Sequence, residues 1–115
     1  MKDPLQIKDI RFFRATSPVT QNISDATHDI SDISFFITEI ELENGIVGQG
    51  YMLSFHYFPN AMAGALKDIS DFVKQYKVYE TVKMAGDYRM ESEYFGQNGL
   101  LKWVLSSINI AMWDA

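Results

Sequence analysis

Phe36, Thr38, Ile40 and Leu42 alternate with Phe35, Ile37, Glu39 and Glu41, so residues 33–43 read as a strand with one apolar face and a second face that turns polar towards its end. Asn44-Gly45 follows. The pair suits the two positive φ angles of a type I′ turn, so residues 46–53 are expected to return antiparallel, with Gly48 and Gly50 allowing twist or close packing. Upstream, Leu5, Ile7, Ile10 and Phe12 mark a first strand over residues 5–16 that Ser17-Pro18 should end. Residues 19–32 show neither a 2.0 nor a 3.6 period and are rich in Ser, Thr, Asn and Asp. They read as a long loop, of the kind that in compact domains is either functional or disordered.

Beyond the hairpin the period changes. Phe55, His56, Tyr57 and Phe58 form a short aromatic loop before Pro59, and proline is well tolerated in a first helical turn. Met62, Leu66, Ile69, Phe72 or Val73, and Tyr76 then mark one face of a helix, with Lys67, Asp68, Asp71, Lys74 and Gln75 opposite. Residues 78 to about 88 form a weaker helix, expected to be buried through Val82 and Met84. Gly96-Gln97-Asn98-Gly99 breaks the chain, and residues 100–114 make a last helix with Leu101, Val104, Leu105, Ile108 and Met112 on one side and Trp103, Ile110 and Trp113 beyond it. A helix apolar nearly all round is expected to be covered on more than one side. The pattern predicts an α+β domain: a three-stranded antiparallel meander followed by a bundle of about three helices.

A chain of 115 residues fits one domain, although that size removes only about two thirds of its unfolded surface from water. With 47% hydrophobic and 22% charged residues it is globular in composition, and 14% aromatic residues is more apolar surface than one small core needs. The net charge of −5 argues against nucleic acid or an anionic membrane as the main partner. Having no cysteine, the chain has no disulfide, thiolate metal site or Cys nucleophile. No apolar run reaches the roughly 18 residues that span a bilayer, and Met1-Lys2-Asp3-Pro4 opens no secretory signal, so a cytoplasmic setting is expected.

Candidate chemistry is sparse. Asp25, His28, Asp29 and Asp32 place three carboxylates and an imidazole within eight residues, but their spacing matches no EF-hand and they sit among turn formers, which favours solvated loop residues. His56 has no partner nearby in sequence to set its pKa as a general base. Arg11 and Arg14 have the fork for a carboxylate or phosphate, yet on a strand with polar alternation they read as surface residues. The aromatic loop differs. Four such side chains exceed what a solvated connector needs and favour a pocket wall or an interface. Gly-rich phosphate loops, nucleophile elbows and zinc-binding His pairs are absent, so the chemistry is not expected in this chain.

Ser107-Ile108-Asn109-Ile110-Ala111-Met112-Trp113-Asp114-Ala115 runs to the last residue as an apolar helix with no stop signal, which reads as the front piece of a longer protein. This segment resembles the A-x-D-x-A-x-W-D helix that leads from the capping domain into the barrel in the mandelate racemase and muconate lactonizing branch of the enolase superfamily. Ala111, Trp113 and Asp114 match; Ser107 stands for Ala and Asn109 for Asp. The order of strands, Asn-Gly turn and helices is similar to that capping domain over essentially the whole chain.

The resemblance implies a lid over a (β/α)-barrel whose carboxylates bind Mg²⁺ and whose Lys or His residues move a proton α to a substrate carboxylate, as in a racemase or acid-sugar dehydratase. It divides the chain into residues 1–99 as the lid and 100–115 as the helix leading towards the barrel. It places the two substrate-selecting loops at residues 17–33 and 52–60. Tyr57, before Phe58-Pro59, resembles the family Tyr that precedes Thr-Pro and the first helix, and is the first choice for a substrate contact; His56 and Phe55 come next, and Val19 and Ile23 are candidates on the polar loop. The implied partners are the barrel, a small carboxylate substrate and further copies in a homo-oligomer. Catalytic and metal-binding residues are expected in the barrel alone, leaving the isolated chain inert. The rival reading is a free-standing α+β binding module that uses the aromatic loop and the last helix.

Overall fold

A computed structural model describes residues 2–55 and 58–115. The elements are β1 (Ile7–Ser24), β2 (Asp29–Leu42), β3 (Val47–Leu53), α1 (Pro59–Val73), α2 (Thr81–Glu91) and α3 (Leu100–Asp114). The strands form an antiparallel sheet in the order β1-β2-β3, so the expected meander followed by helices is what the chain builds.

Register explains which side chains are covered. Ile10 faces Ile40 and Gly48 in one row, Phe12 faces Thr38 and Gly50 in the next, and Phe36 faces Met52 in the third. This side of the sheet is covered by α1 and α3, and Ile10, Phe36, Ile40, Leu42 and Met52 join Met62, Leu66, Ile69, Val73, Val104, Ile108 and Met112 in one core. Gly48 and Gly50 let α3 come down directly on β3: a Cβ at Gly50 would run into the Ser107 carbonyl and lie 2.8 Å from Ala111 N, and one at Gly48 would meet the Ala111 carbonyl and Ala115. Of the two roles expected for these glycines, close packing is the one the fold uses. Asp114 then accepts a hydrogen bond from Gln49 N at 2.9 Å, covering an outward N–H of the edge strand.

Three expectations are corrected. The first strand does not end at Ser17-Pro18, and residues 19–32 are not a loop: β1 and β2 continue past β3 as a two-stranded arm that turns at residues 25–28. Both faces of that arm meet water, so nothing enforced an alternating pattern. Pro18 is tolerated because β1 is an edge strand and the register shifts between Pro18 and Ile23. The hairpin at Asn44-Gly45 has a three-residue loop, not a two-residue type I′ turn. Gly45 alone has positive φ, at 88°, while its N–H donates to Leu42 O and Leu42 N donates to Ile46 O, the pattern of a type I turn closed by a glycine bulge. Asn44 keeps an ordinary φ and caps the bend through its side chain, which accepts from Ile46 N at 3.0 Å. Finally, α2 starts at Thr81 and buries Met84 and Tyr88, one turn apart, while Val82 points to water at 85% exposure.

Candidate functional site

At the end of the sheet where β3 stops, the two segments singled out in the sequence come together. Ser54 is pinned there: its N–H and its hydroxyl both donate to Ser34 O, at 2.9 and 3.0 Å. The chain then turns through Phe55 at φ 50° and re-enters at Phe58 with φ 32° and ψ 60°, directly before Pro59 opens α1. A bulky side chain at positive φ is uncommon, and each such residue costs about 1–3 kcal/mol unless its surroundings hold it. Phe55 is half-buried and Phe58 is 78% exposed. His56 and Tyr57, two of the chosen contacts, lie outside the described residues.

Phe58 forms one wall of an apolar hollow of about 570 Å³, completed by Ala61, Met62, Gly99, Leu100 and Trp103. Neither Phe58 nor Trp103 was among the chosen contacts. The available signal was an aromatic residue at the N-cap of α1, where Ser, Thr, Asp or Asn is the ordinary choice; Phe58 makes no side-chain cap.

The arm rises from the same end. Val19 is half-buried and Ile23 is 45% exposed, both on β1, with Ile23 opposite Ile30. Asp25 closes the tip: its Oδ1 accepts from Thr27 N at 2.8 Å and His28 N at 2.7 Å, and these two backbone donors, Thr27 first, draw its pKa down to about 2. The carboxylate of Asp25 is therefore spent on the turn. Among the described residues no group of three or more His, Asp or Glu stands where it would hold a metal ion.

Arg11 and Arg14 face opposite sides of β1. Arg11 donates to Glu41 at 2.9 Å and lies 3.5 Å from Asp9, and the bond to Glu41 is the main cause of its raised pKa. Arg14 reaches Ser34 Oγ at 3.0 Å instead. Along α3, Trp103, Ile110 and Trp113 are exposed at 40, 48 and 76%. The outer side of the sheet carries a second apolar surface, with Tyr51 edge-on to Phe35 at 6.0 Å beside Ala15 and Ile37.

No family model and no curated protein matches this sequence. Solved structures do. A racemase from Streptomyces coelicolor A3(2) with bound magnesium superposes with a TM-score of 0.83 at 21% identity, over 93% of this chain and 30% of the racemase. An enolase from Bradyrhizobium complexed with magnesium and mandelic acid gives 0.81 at 17% identity, over 100% of this chain and 32% of its own. The L-talarate/galactarate dehydratase from Salmonella typhimurium LT2 liganded with Mg and L-lyxarohydroxamate gives 0.80 at 21% identity, over 93% and 29%. The chain thus spans about a third of the length of these proteins. Its fold is that of the N-terminal capping domain of enolase-superfamily racemases and dehydratases.

Proposed function

We propose that this domain is the substrate-selecting lid of a Mg²⁺-dependent enolase-superfamily enzyme that removes the proton next to a substrate carboxylate, as a racemase or an acid-sugar dehydratase. The observation that carries this reading is the match of nearly the whole chain to about 30% of magnesium-bound relatives. In it, residues 1–99 form the lid and residues 100–115 lead towards a (β/α)-barrel. The described residues do not fit a Mg²⁺ site, so the ion and the acid–base residues belong to the barrel. This chain supplies walls. Phe55, His56 and Tyr57, with Val19 and Ile23 on the arm, close over the substrate and exclude water, which strengthens electrostatic interactions beneath them.

The exposure of Trp103, Ile110 and Trp113 on α3 supports a docked barrel, which would cover these large apolar side chains. No helix among the described residues is long and apolar enough to cross a membrane, and a cytoplasmic homo-oligomer is the setting this reading carries. The test is to follow the reading frame past Ala115 and assay its product. A barrel with Asp, Glu and Glu at successive strand ends is expected, together with Mg²⁺-dependent exchange of the α-proton of acid sugars or hydroxy acids in D₂O. A stop directly after Ala115 would remove the lid reading in favour of a free-standing binding module.

A further inference from the structure

Asn is followed by Gly at two places, Glu43-Asn44-Gly45-Ile46 and Gln97-Asn98-Gly99-Leu100. Such a pair can cyclise, because glycine has no Cβ to keep its amide nitrogen away from the Asn side chain. The two local sequences are nearly alike, and both glycines have positive φ, at 88° and 90°. Hydrogen bonding separates them. In the hairpin, Gly45 N–H donates to Leu42 O at 2.9 Å, Asn44 N–H donates to Pro4 O at 3.1 Å, and Asn44 Oδ1 accepts from Ile46 N at 3.0 Å. Cyclisation there must first break the bond that holds the attacking nitrogen and the one that holds the side chain.

The pair before α3 is built the other way. Its flanks are anchored: Gln97 O accepts from Tyr88 OH at 2.7 Å, and Gly99 O accepts from Trp103 N at 3.0 Å. Between these anchors, neither Gly99 N–H nor the Asn98 side chain has a hydrogen-bond partner among the described residues, and both residues are exposed. We propose that Asn98 is a site of spontaneous deamidation through a cyclic imide, and that the fold spares Asn44. Gly99 N gives up its proton to solvent and attacks Asn98 Cγ. The new N–Cγ bond replaces the Cγ–Nδ2 bond, and Nδ2 takes a proton from solvent and leaves as ammonia. Water then adds to either carbonyl of the imide, leaving aspartate or its isomer in which the main chain runs through the side-chain carbon. Both products carry a negative charge two residues before the first turn of α3, which has neither a side-chain cap nor an acidic residue. The isomer also lengthens the main chain beside Gly99, which lines the hollow shared with Phe58 and Trp103.

The test holds the chain in mildly alkaline buffer, once folded and once unfolded in guanidinium chloride. Conversion at each Asn is followed by peptide mass spectrometry, with the isomer located by fragmentation. In the folded chain Asn98 should convert about tenfold faster than Asn44, the factor that opening the hairpin hydrogen bonds imposes on Asn44. In guanidinium chloride the two rates should come together, through acceleration at Asn44 and little change at Asn98. Equal rates in the folded chain, or folding that slows Asn98 as strongly as Asn44, overturns the proposal. Asn98→Ser should remove the fast-forming acidic species and leave the Asn44 rate as it was. An acidic species that forms as fast in this variant places the reaction elsewhere and also overturns it.

Discussion

Gly50 has no room for even one carbon, because α3 lays its backbone on β3 at that point. Gly50→Ala should therefore destabilise the domain by about 3 kcal/mol, at the upper end for overpacking, since the obstructing atoms are backbone and cannot change rotamer. Urea denaturation checks this, and a loss below 1 kcal/mol would show that α3 slides aside. Ser70 is the opposite case. It is buried in α1 and its hydroxyl is the one described buried side-chain atom left without a partner, so Ser70→Ala should raise stability by about 1 kcal/mol. An unchanged or lower midpoint would mean that water satisfies the hydroxyl. Asp25 gives a pH signature: with its pKa lowered to about 2, its caps should hold above the ordinary carboxylate range and be lost as the pH falls towards that value. The Thr27 and His28 amide resonances should move in that window, and the Asp25→Ala variant should lose the transition.

The arm and α2 are the two elements least supported by the core. Most of the described arm side chains are exposed and none is fully buried, and a lone two-stranded ribbon is marginal in water. Replacing residues 19–31 by Asn-Gly should thus leave the melting temperature within about 5 °C of the parent, measured by circular dichroism, while abolishing substrate selection if the arm is a lid edge. A larger drop would make the arm part of the folding unit. Besides burying Met84 and Tyr88, helix α2 is tied by two phenols: Tyr76 OH donates to Asp87 Oδ2 at 2.6 Å and Tyr88 OH to Gln97 O, in the loop that follows, at 2.7 Å. Burial, and then the bond to Asp87, hold the Tyr76 pKa well above its ordinary value of 10.0. The native state therefore keeps a proton that the unfolded chain gives up. That contribution is whole below pH 10 and fades as the pH rises beyond it, so denaturation midpoints between pH 9 and 12 should fall more steeply for the parent than for Tyr76→Phe.

At the scale of the molecule, the arm makes the chain long, 53 × 34 × 20 Å, with a radius of gyration of 15.6 Å against about 13 Å for a compact domain of this size. Trp103, Ile110 and Trp113 of α3 face solvent on this elongated body. The isolated chain should self-associate through these side chains, and Trp103→Lys with Trp113→Lys should shift the chain towards monomer in sedimentation velocity, because each large side chain newly buried contributes roughly 1.5–3 kcal/mol before binding costs. A parent chain that stays monomeric at high concentration would show that they need no cover.

The amino-acid pattern determined wherever burial is one-sided. The alternation through Phe36, Ile40 and Leu42, the helical spacing of Met62, Leu66, Ile69 and Val73, and the stop at Gly96 to Gly99 each report a face turned to a core. It also carried the family resemblance, through Ala111, Trp113 and Asp114. Only the tertiary structure decided the rest. The arm left no period because both its faces meet water, and the hairpin turn was set by loop length, with Asn44 satisfied by Ile46 N. Phe58 joined Trp103 across 45 residues of chain, and Arg14 was separated from Arg11 by side of the sheet and choice of partner. Such pairings arise from register and packing between distant segments, which no local spacing encodes.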